Sequence, residues 1–263
     1  MIPWRFVLGG LLLPAVTTAV GLFGLRRVNR TRSPAVVAIV AALAIAAGQW
    51  AGFEWPGVRP GPTWAWLGHL VLLAAVAEAL VRLPRVGPAL AVWLRLAVAI
   101  TAVWVSMAPL IGRSVESHAA IGWVLGQGAF AAAVWTFLAE SDDRRPDRPW
   151  PLLLALTAGG LAGLLILSNS ARFAQLAVIV AISVGAALVP ALIGRKEALR
   201  LSGLTGPAVI AHTALAVNGS WMTYGELPLI VWLLALLAPV AGARRWWPGQ
   251  SGQTRLAWII RSL

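Results

Sequence analysis

The chain has 263 residues, of which 59% are hydrophobic and only 11% are charged, and its formal net charge is +12. An ordinary soluble domain is about 25% charged, so a water-soluble fold of this size would lack the polar side chains to cover its surface. The composition excludes a soluble globular protein, and the absence of cysteine excludes disulfides and thiolate metal sites. The remaining class is an all-α, polytopic helical membrane protein.

Stretches of about 20 mostly apolar residues, the length that crosses a bilayer as a helix, recur along the whole chain. Nine of them are predicted transmembrane helices: 6–25, 34–53, 63–81, 88–111, 119–139, 150–168, 173–193, 204–221 and 227–243. The stretch 204–221 is the weakest, because it contains Pro207, His212 and Asn218. The loops between the stretches are short, so we expect residues 1–243 to form one transmembrane bundle.

The positions of the basic residues predict the orientation of these helices. One set of alternating loops and the C-terminal tail hold most of them: Arg26, Arg27, Arg30, Arg32, Arg82, Arg85, Arg144, Arg145, Arg148, Arg195, Lys196, Arg200, Arg244, Arg245, Arg255 and Arg261. The opposite side holds Arg5, Arg59, Arg113 and Arg172. This bias places the N-terminus outside and the C-terminus in the cytoplasm, and it explains the positive charge without a nucleic-acid partner. The Ala-, Gly- and Arg-rich composition suggests a bacterial source and hence the inner membrane.

The C-terminal tail, 244–263, is predicted to contain one short amphipathic helix. Leu256, Ile259, Ile260 and Leu263 recur at helical spacing and form a single apolar face. This helix would lie on the cytoplasmic leaflet of the bilayer, or alternatively dock on a partner protein.

Two pairs of glycines have the spacing at which membrane helices approach one another closely. Gly122 and Gly126 form one GxxxG pattern, and Gly159 and Gly163 form another. Most contacts of this kind lie inside a bundle. The alternative is that these faces join a membrane-protein partner or a second copy of the chain.

Ionisable residues inside predicted spans are candidate functional residues, because each is costly in lipid. Glu78 and Arg95 lie near the cytoplasmic ends of two consecutive antiparallel spans, so we expect them to form a buried ion pair. Glu78 can alternatively pair with Arg82, one helical turn away. Gln127 is an uncharged polar residue within a span, where it can donate and accept hydrogen bonds between helices.

His69 and His212 lie within two different predicted spans. Both are expected to be hydrogen-bonded residues of the bundle, with proton handling as an alternative role. Two histidines from different helices can also ligate a haem iron, but two isolated histidines do not identify a haem site. No cofactor and no metal are therefore assigned.

The acidic residues Asp142, Asp143 and Asp147 form a DDxxxD pattern in one predicted cytoplasmic loop. This pattern resembles the aspartate-rich motif of membrane prenyltransferases of the UbiA type, which have about nine spans. The resemblance implies carboxylates that hold Mg²⁺ on a diphosphate. It covers these few residues, and no other predicted cytoplasmic loop carries a second acidic motif. A solvated charged loop is the alternative.

Three classes of function are compatible with this sequence. A non-enzymatic membrane component, a subunit or scaffold of a larger complex, is favoured by the tiny loops and the sparse intramembrane charge. A transporter or channel for a small or lipidic solute would need a polar path lined by Glu78, Arg95, His69, Gln127 and His212. An intramembrane lipid-modifying enzyme would depend on the acidic loop, and the chain carries no HExxH, GxSxG or P-loop pattern.

Overall fold

The computed structural model describes residues 4–27, 33–53, 57, 61–112, 115–144, 150–193, 201–222 and 227–245. A π-helical segment, Phe6–Leu12, leads into the first of the ten α-helices that these residues form. These are α1 (Leu13–Arg27), α2 (Pro34–Phe53), α3 (Leu67–Val81), α4 (Pro88–Met107), α5 (Ser117–Arg144), α6 (Trp150–Leu167), α7 (Ala171–Gly185), α8 (Leu188–Ile193), α9 (Thr205–Met222) and α10 (Leu229–Arg245). The predicted tail helix, 256–263, lies outside the described residues.

Among the described residues, seven helical segments are long and apolar enough to cross a membrane, which confirms an all-α polytopic membrane protein. They are Phe6–Leu25, Pro34–Phe53, Thr63–Val81, Pro88–Leu110, Ser117–Ser141, Trp150–Leu167 and Ala171–Pro190. They match the first seven predicted spans. The other two predicted stretches are helical too, as α9 and α10. Those two helices are not among the seven, so a count of nine spans stays a prediction.

Helix α9 lies at the centre of the bundle. It packs against α2, α3, α4, α5, α6, α7 and α10, and its residues are buried from end to end as far as Gly219. A helix surrounded by other helices does not have to present an apolar face to lipid. This position explains how α9 accommodates Pro207, His212 and Asn218, the residues that make it the least apolar of the predicted spans.

The two GxxxG faces do not mediate packing among the described helices. A Cβ atom added at Gly122, Gly126, Gly159 or Gly163 would meet nothing within 4 Å, so the expectation that these faces lie inside the bundle is wrong. The close approach on α5 occurs at Gly128 instead, where a Cβ atom would lie 2.7 Å from Ile100 Cγ1 of α4. Both glycine pairs belong to the outward faces of their helices.

Candidate functional site

Glu78 of α3 is completely buried, and three side chains hold its carboxylate. Arg82 Nε donates to Oε1 at 3.0 Å, and Trp135 Nε1 donates to Oε2 at 3.0 Å. Arg95 Nη2 lies 3.4 Å from the same Oε2. The predicted Glu78–Arg95 contact is therefore present, and the alternative pairing with Arg82 is present as well.

Asp143 completes this group, which we call the Glu78 cluster: Glu78, Arg82, Arg95, Trp135 and Asp143. Arg82 Nη1 also donates to Asp143 Oδ2 near the end of α5. Two carboxylates and two guanidinium groups balance in charge, so the cluster joins α3, α4 and α5 without a net buried charge. Burial alone lowers the pKa of Arg82, but the carboxylates of Glu78 and Asp143 outweigh that effect and raise this pKa.

Trp135 is the member of the cluster that the sequence analysis missed. Its ring is completely buried, and Arg95 Cζ lies 5.8 Å from the ring centroid, within the range of a cation–π contact. Gly206 of α9 makes room for it, since a Cβ atom there would lie 2.5 Å from Trp135 Cζ2. One signal was available in the sequence: a tryptophan well inside a predicted span needs an acceptor for its indole N–H.

His212, on the central helix α9, bonds to the backbone of α10. Its Nε2 lies 2.9 Å from the carbonyl oxygen of Ala235. In a regular helix that oxygen would accept from the N–H of residue 239, but residue 239 is proline and has no N–H. His212 therefore donates to the carbonyl that Pro239 leaves without its helical partner. His212 thus forms a hydrogen bond between two helices of the bundle.

Besides the hydrogen bond between His212 and Ala235, α9 and α10 share a second contact. Trp232 of α10 is buried and lies directly over Gly219 of α9, where a Cβ atom would clash with the indole ring. Trp232, Ala235 and Pro239 have the i, i+3, i+7 spacing of one helix face. This single face of α10 docks on α9.

A small cleft lies beside His212, between α5, α6, α7, α9 and α10. Thr157 and Thr213 are the other polar side chains of its lining, which is otherwise apolar and includes Phe130, Val134, Leu154 and Pro239. Its free volume is about 10 Å³, room for about one water molecule. The lining contains neither Glu78, Arg95 nor Gln127. His212 therefore lines this cleft without Glu78, Arg95 and Gln127, the other polar residues that were predicted to line a path.

His69 has different surroundings from His212. Its ring packs against Trp50 and Trp66, with centroid separations of 5.8 and 5.7 Å. The described partners of the two histidines differ: tryptophan rings pack on His69, and a backbone carbonyl accepts from His212. A haem ligated by both residues stays a hypothesis. Within the described segments, no group of three or more His, Asp and Glu side chains is arranged to hold a metal ion.

Gln127 and the acidic loop are the remaining candidates. Gln127 Oε1 is buried on α5 and has no hydrogen-bond partner among the described residues. Asp143 pairs with Arg82, while Asp147 and the side chain of Asp142 lie outside the described part of the chain. The predicted diphosphate role of this motif stays an expectation.

The chain was compared with protein families, characterised proteins and solved structures. None of the three comparisons finds a match.

Proposed function

We propose that this integral membrane protein is a non-enzymatic membrane component, a subunit or scaffold of a larger membrane complex. The main support for this proposal is the Glu78 cluster. Its charged groups bind one another and tie α3, α4 and α5 together. Groups engaged in this way stabilise the bundle, which supports a structural role.

The outward GxxxG faces support association with another membrane helix. On α5 the exposed stripe continues from Gly122 and Gly126 through Ala129 and Ala133. On α6, Gly159 and Gly163 are exposed in the same way. Helices in lipid associate through small residues, because close backbone approach improves van der Waals packing where no hydrophobic effect operates. A partner helix or a second copy of the chain fits these faces.

Transport of a small or lipidic solute is the second candidate, and the buried His212 beside a cleft favours it. A transporter of a polar solute needs a polar path through its helices. The cleft has a mostly apolar lining and room for about one water molecule. Its lining does not include Glu78 and Arg95. The membrane component is therefore the better supported function.

The proposal is tested by isolating the tagged protein from its native membrane in nanodiscs and measuring the mass and composition of the particle. We expect a stoichiometric partner or a homo-oligomer, lost in Gly126→Leu. Gly24→Leu is the matched control, because Gly24 of α1 is also exposed with open space around it. A monomer without a stoichiometric partner would contradict the proposal, as would equal loss in both variants.

A further inference from the structure

We propose that the cleft beside His212 binds an uncharged, lipid-like molecule through a hydroxyl group. This cleft is defined by Phe130, Val134, Leu154, His212, Thr213 and Pro239. The proposed ligand class is a long-chain alcohol or another neutral lipid with a free hydroxyl. Three properties of the cleft favour this class of ligand: its hydrogen-bonding groups, its lack of charge and its size.

The hydrogen-bonding groups favour a ligand that donates a hydrogen bond. A carbonyl oxygen only accepts, so the contact with Ala235 O requires the proton of neutral His212 to be on Nε2. The other ring nitrogen, Nδ1, then carries a lone pair and acts as an acceptor. Thr213 adds a hydroxyl, which can donate or accept. The hydroxyl of Thr157 already donates to Leu154 O of its own helix.

The lining selects against charged ligands. Apart from His212, Thr157 and Thr213, its members are apolar side chains, and none is an arginine, lysine, aspartate or glutamate. A carboxylate, a phosphate or an ammonium group would lose its hydration without gaining a partner of opposite charge. A hydroxyl has a much smaller desolvation cost, and one hydrogen bond to His212 offsets most of it.

The size of the cleft fits one such group. Its free volume of about 10 Å³ holds an oxygen atom of a water molecule or of a hydroxyl. Phe130 and Thr157 are the half-buried members of the lining, so the alkyl chain of the ligand would leave the cleft past these two side chains. His212 is 6% exposed, so the polar end of the ligand would be shielded from the lipid.

The site is tested with photoreactive probes added to the purified protein in phosphatidylcholine nanodiscs. One probe is a long-chain alcohol that carries a diazirine near its hydroxyl, and the matched probes are the corresponding alkane and carboxylic acid. We expect the alcohol to label residues of α5, α6 or α9 that line the cleft. We also expect 1-dodecanol to compete with it, but neither dodecane nor laurate. Equal labelling by alcohol and alkane, or no labelling of the lining at all, would overturn the proposal.

The obvious variant, His212→Leu, also removes the donor to Ala235 O and can disturb α10. Pro239→Ala solves this difficulty, because residue 239 then has an N–H that bonds to Ala235 O within the helix. We therefore measure the effect of His212→Leu in the Pro239→Ala background, and we expect Pro239→Ala/His212→Leu to be labelled about fivefold less than Pro239→Ala, the effect of one hydrogen bond. His69→Leu, which alters a histidine that does not line the cleft, should leave labelling unchanged. Undiminished labelling of the double variant would overturn the role of His212.

Discussion

His212 and Ala235 form a hydrogen bond between the central helix and α10, with 2.9 Å between Nε2 and the carbonyl oxygen. The bond exists because proline at position 239 removes the helical donor of that oxygen. A free carbonyl in a membrane interior costs several kcal/mol, on the order of the desolvation of a peptide group. The histidine and the proline therefore compensate each other across two helices.

This compensation predicts a thermodynamic coupling between positions 212 and 239. We expect His212→Leu to reduce the free energy of unfolding by about 1–3 kcal/mol, because it leaves a buried carbonyl unsatisfied. In the Pro239→Ala background the same substitution should cost clearly less. The measurement is a double-mutant cycle of unfolding in mixed micelles. Additive effects of the two substitutions on the free energy of unfolding would show that His212 does not compensate for the missing N–H of Pro239.

The Glu78 cluster predicts a strong dependence of stability on charge balance. Glu78→Gln should reduce the free energy of unfolding by about 3–5 kcal/mol, because it leaves buried guanidinium charge uncompensated. Glu78→Gln/Arg95→Gln should be less destabilised than the sum of its single variants. Arg85→Gln is the control, since Arg85 is exposed near the same end of the bundle. Expression level and unfolding midpoint in detergent measure both effects, and strict additivity would contradict the predicted coupling.

The contact between Trp135 and Gly206 predicts a steric effect at the start of α9. Gly206→Ala places a Cβ atom 2.5 Å from Trp135 Cζ2, so it should destabilise the protein by about 1–3 kcal/mol through overpacking. Gly160→Ala is the matched control, because nothing lies within 4 Å of its added Cβ atom. The control should be neutral or slightly stabilising, since alanine has the higher helix propensity. Equal unfolding midpoints of the two variants would contradict the prediction.

The absence of cysteine makes the predicted orientation directly measurable. With the N-terminus outside, a cysteine at position 113 should react with a membrane-impermeant maleimide in intact cells. A cysteine at position 85 should react only after the membrane is made permeable. The opposite labelling pattern would reverse the predicted topology, whereas labelling of both positions in intact cells would show that the span count between them is wrong.

Much of the fold follows from the apolar spacing of the chain. The first seven predicted spans coincide closely with helices long and apolar enough to cross a membrane, because the thickness of the bilayer sets the length of an apolar helix. The contact between Glu78 and Arg95 was also predictable. A short loop makes their helices antiparallel neighbours, and opposite charges in a low-dielectric interior attract one another strongly.

Sequence patterns alone do not specify which face of a helix meets a neighbour. Gly122 and Gly126 have the spacing of a packing motif, yet they lie on the outer face of α5, while Gly128 makes the close contact. Trp135 is a second example, because only the tertiary structure shows that its indole N–H reaches Glu78 of α3.

The sequence by itself determined the class of this protein, the positions of its helices and the residues whose burial requires a partner. Those properties depend on composition and on spacing along one chain. The tertiary structure decided that the least apolar predicted helix, α9, is the central one. It also decided that His212 donates a hydrogen bond to the carbonyl of Ala235, which has no helical donor because residue 239 is proline. These relationships join residues that are distant in sequence, and only the packing of several helices in three dimensions brings them together.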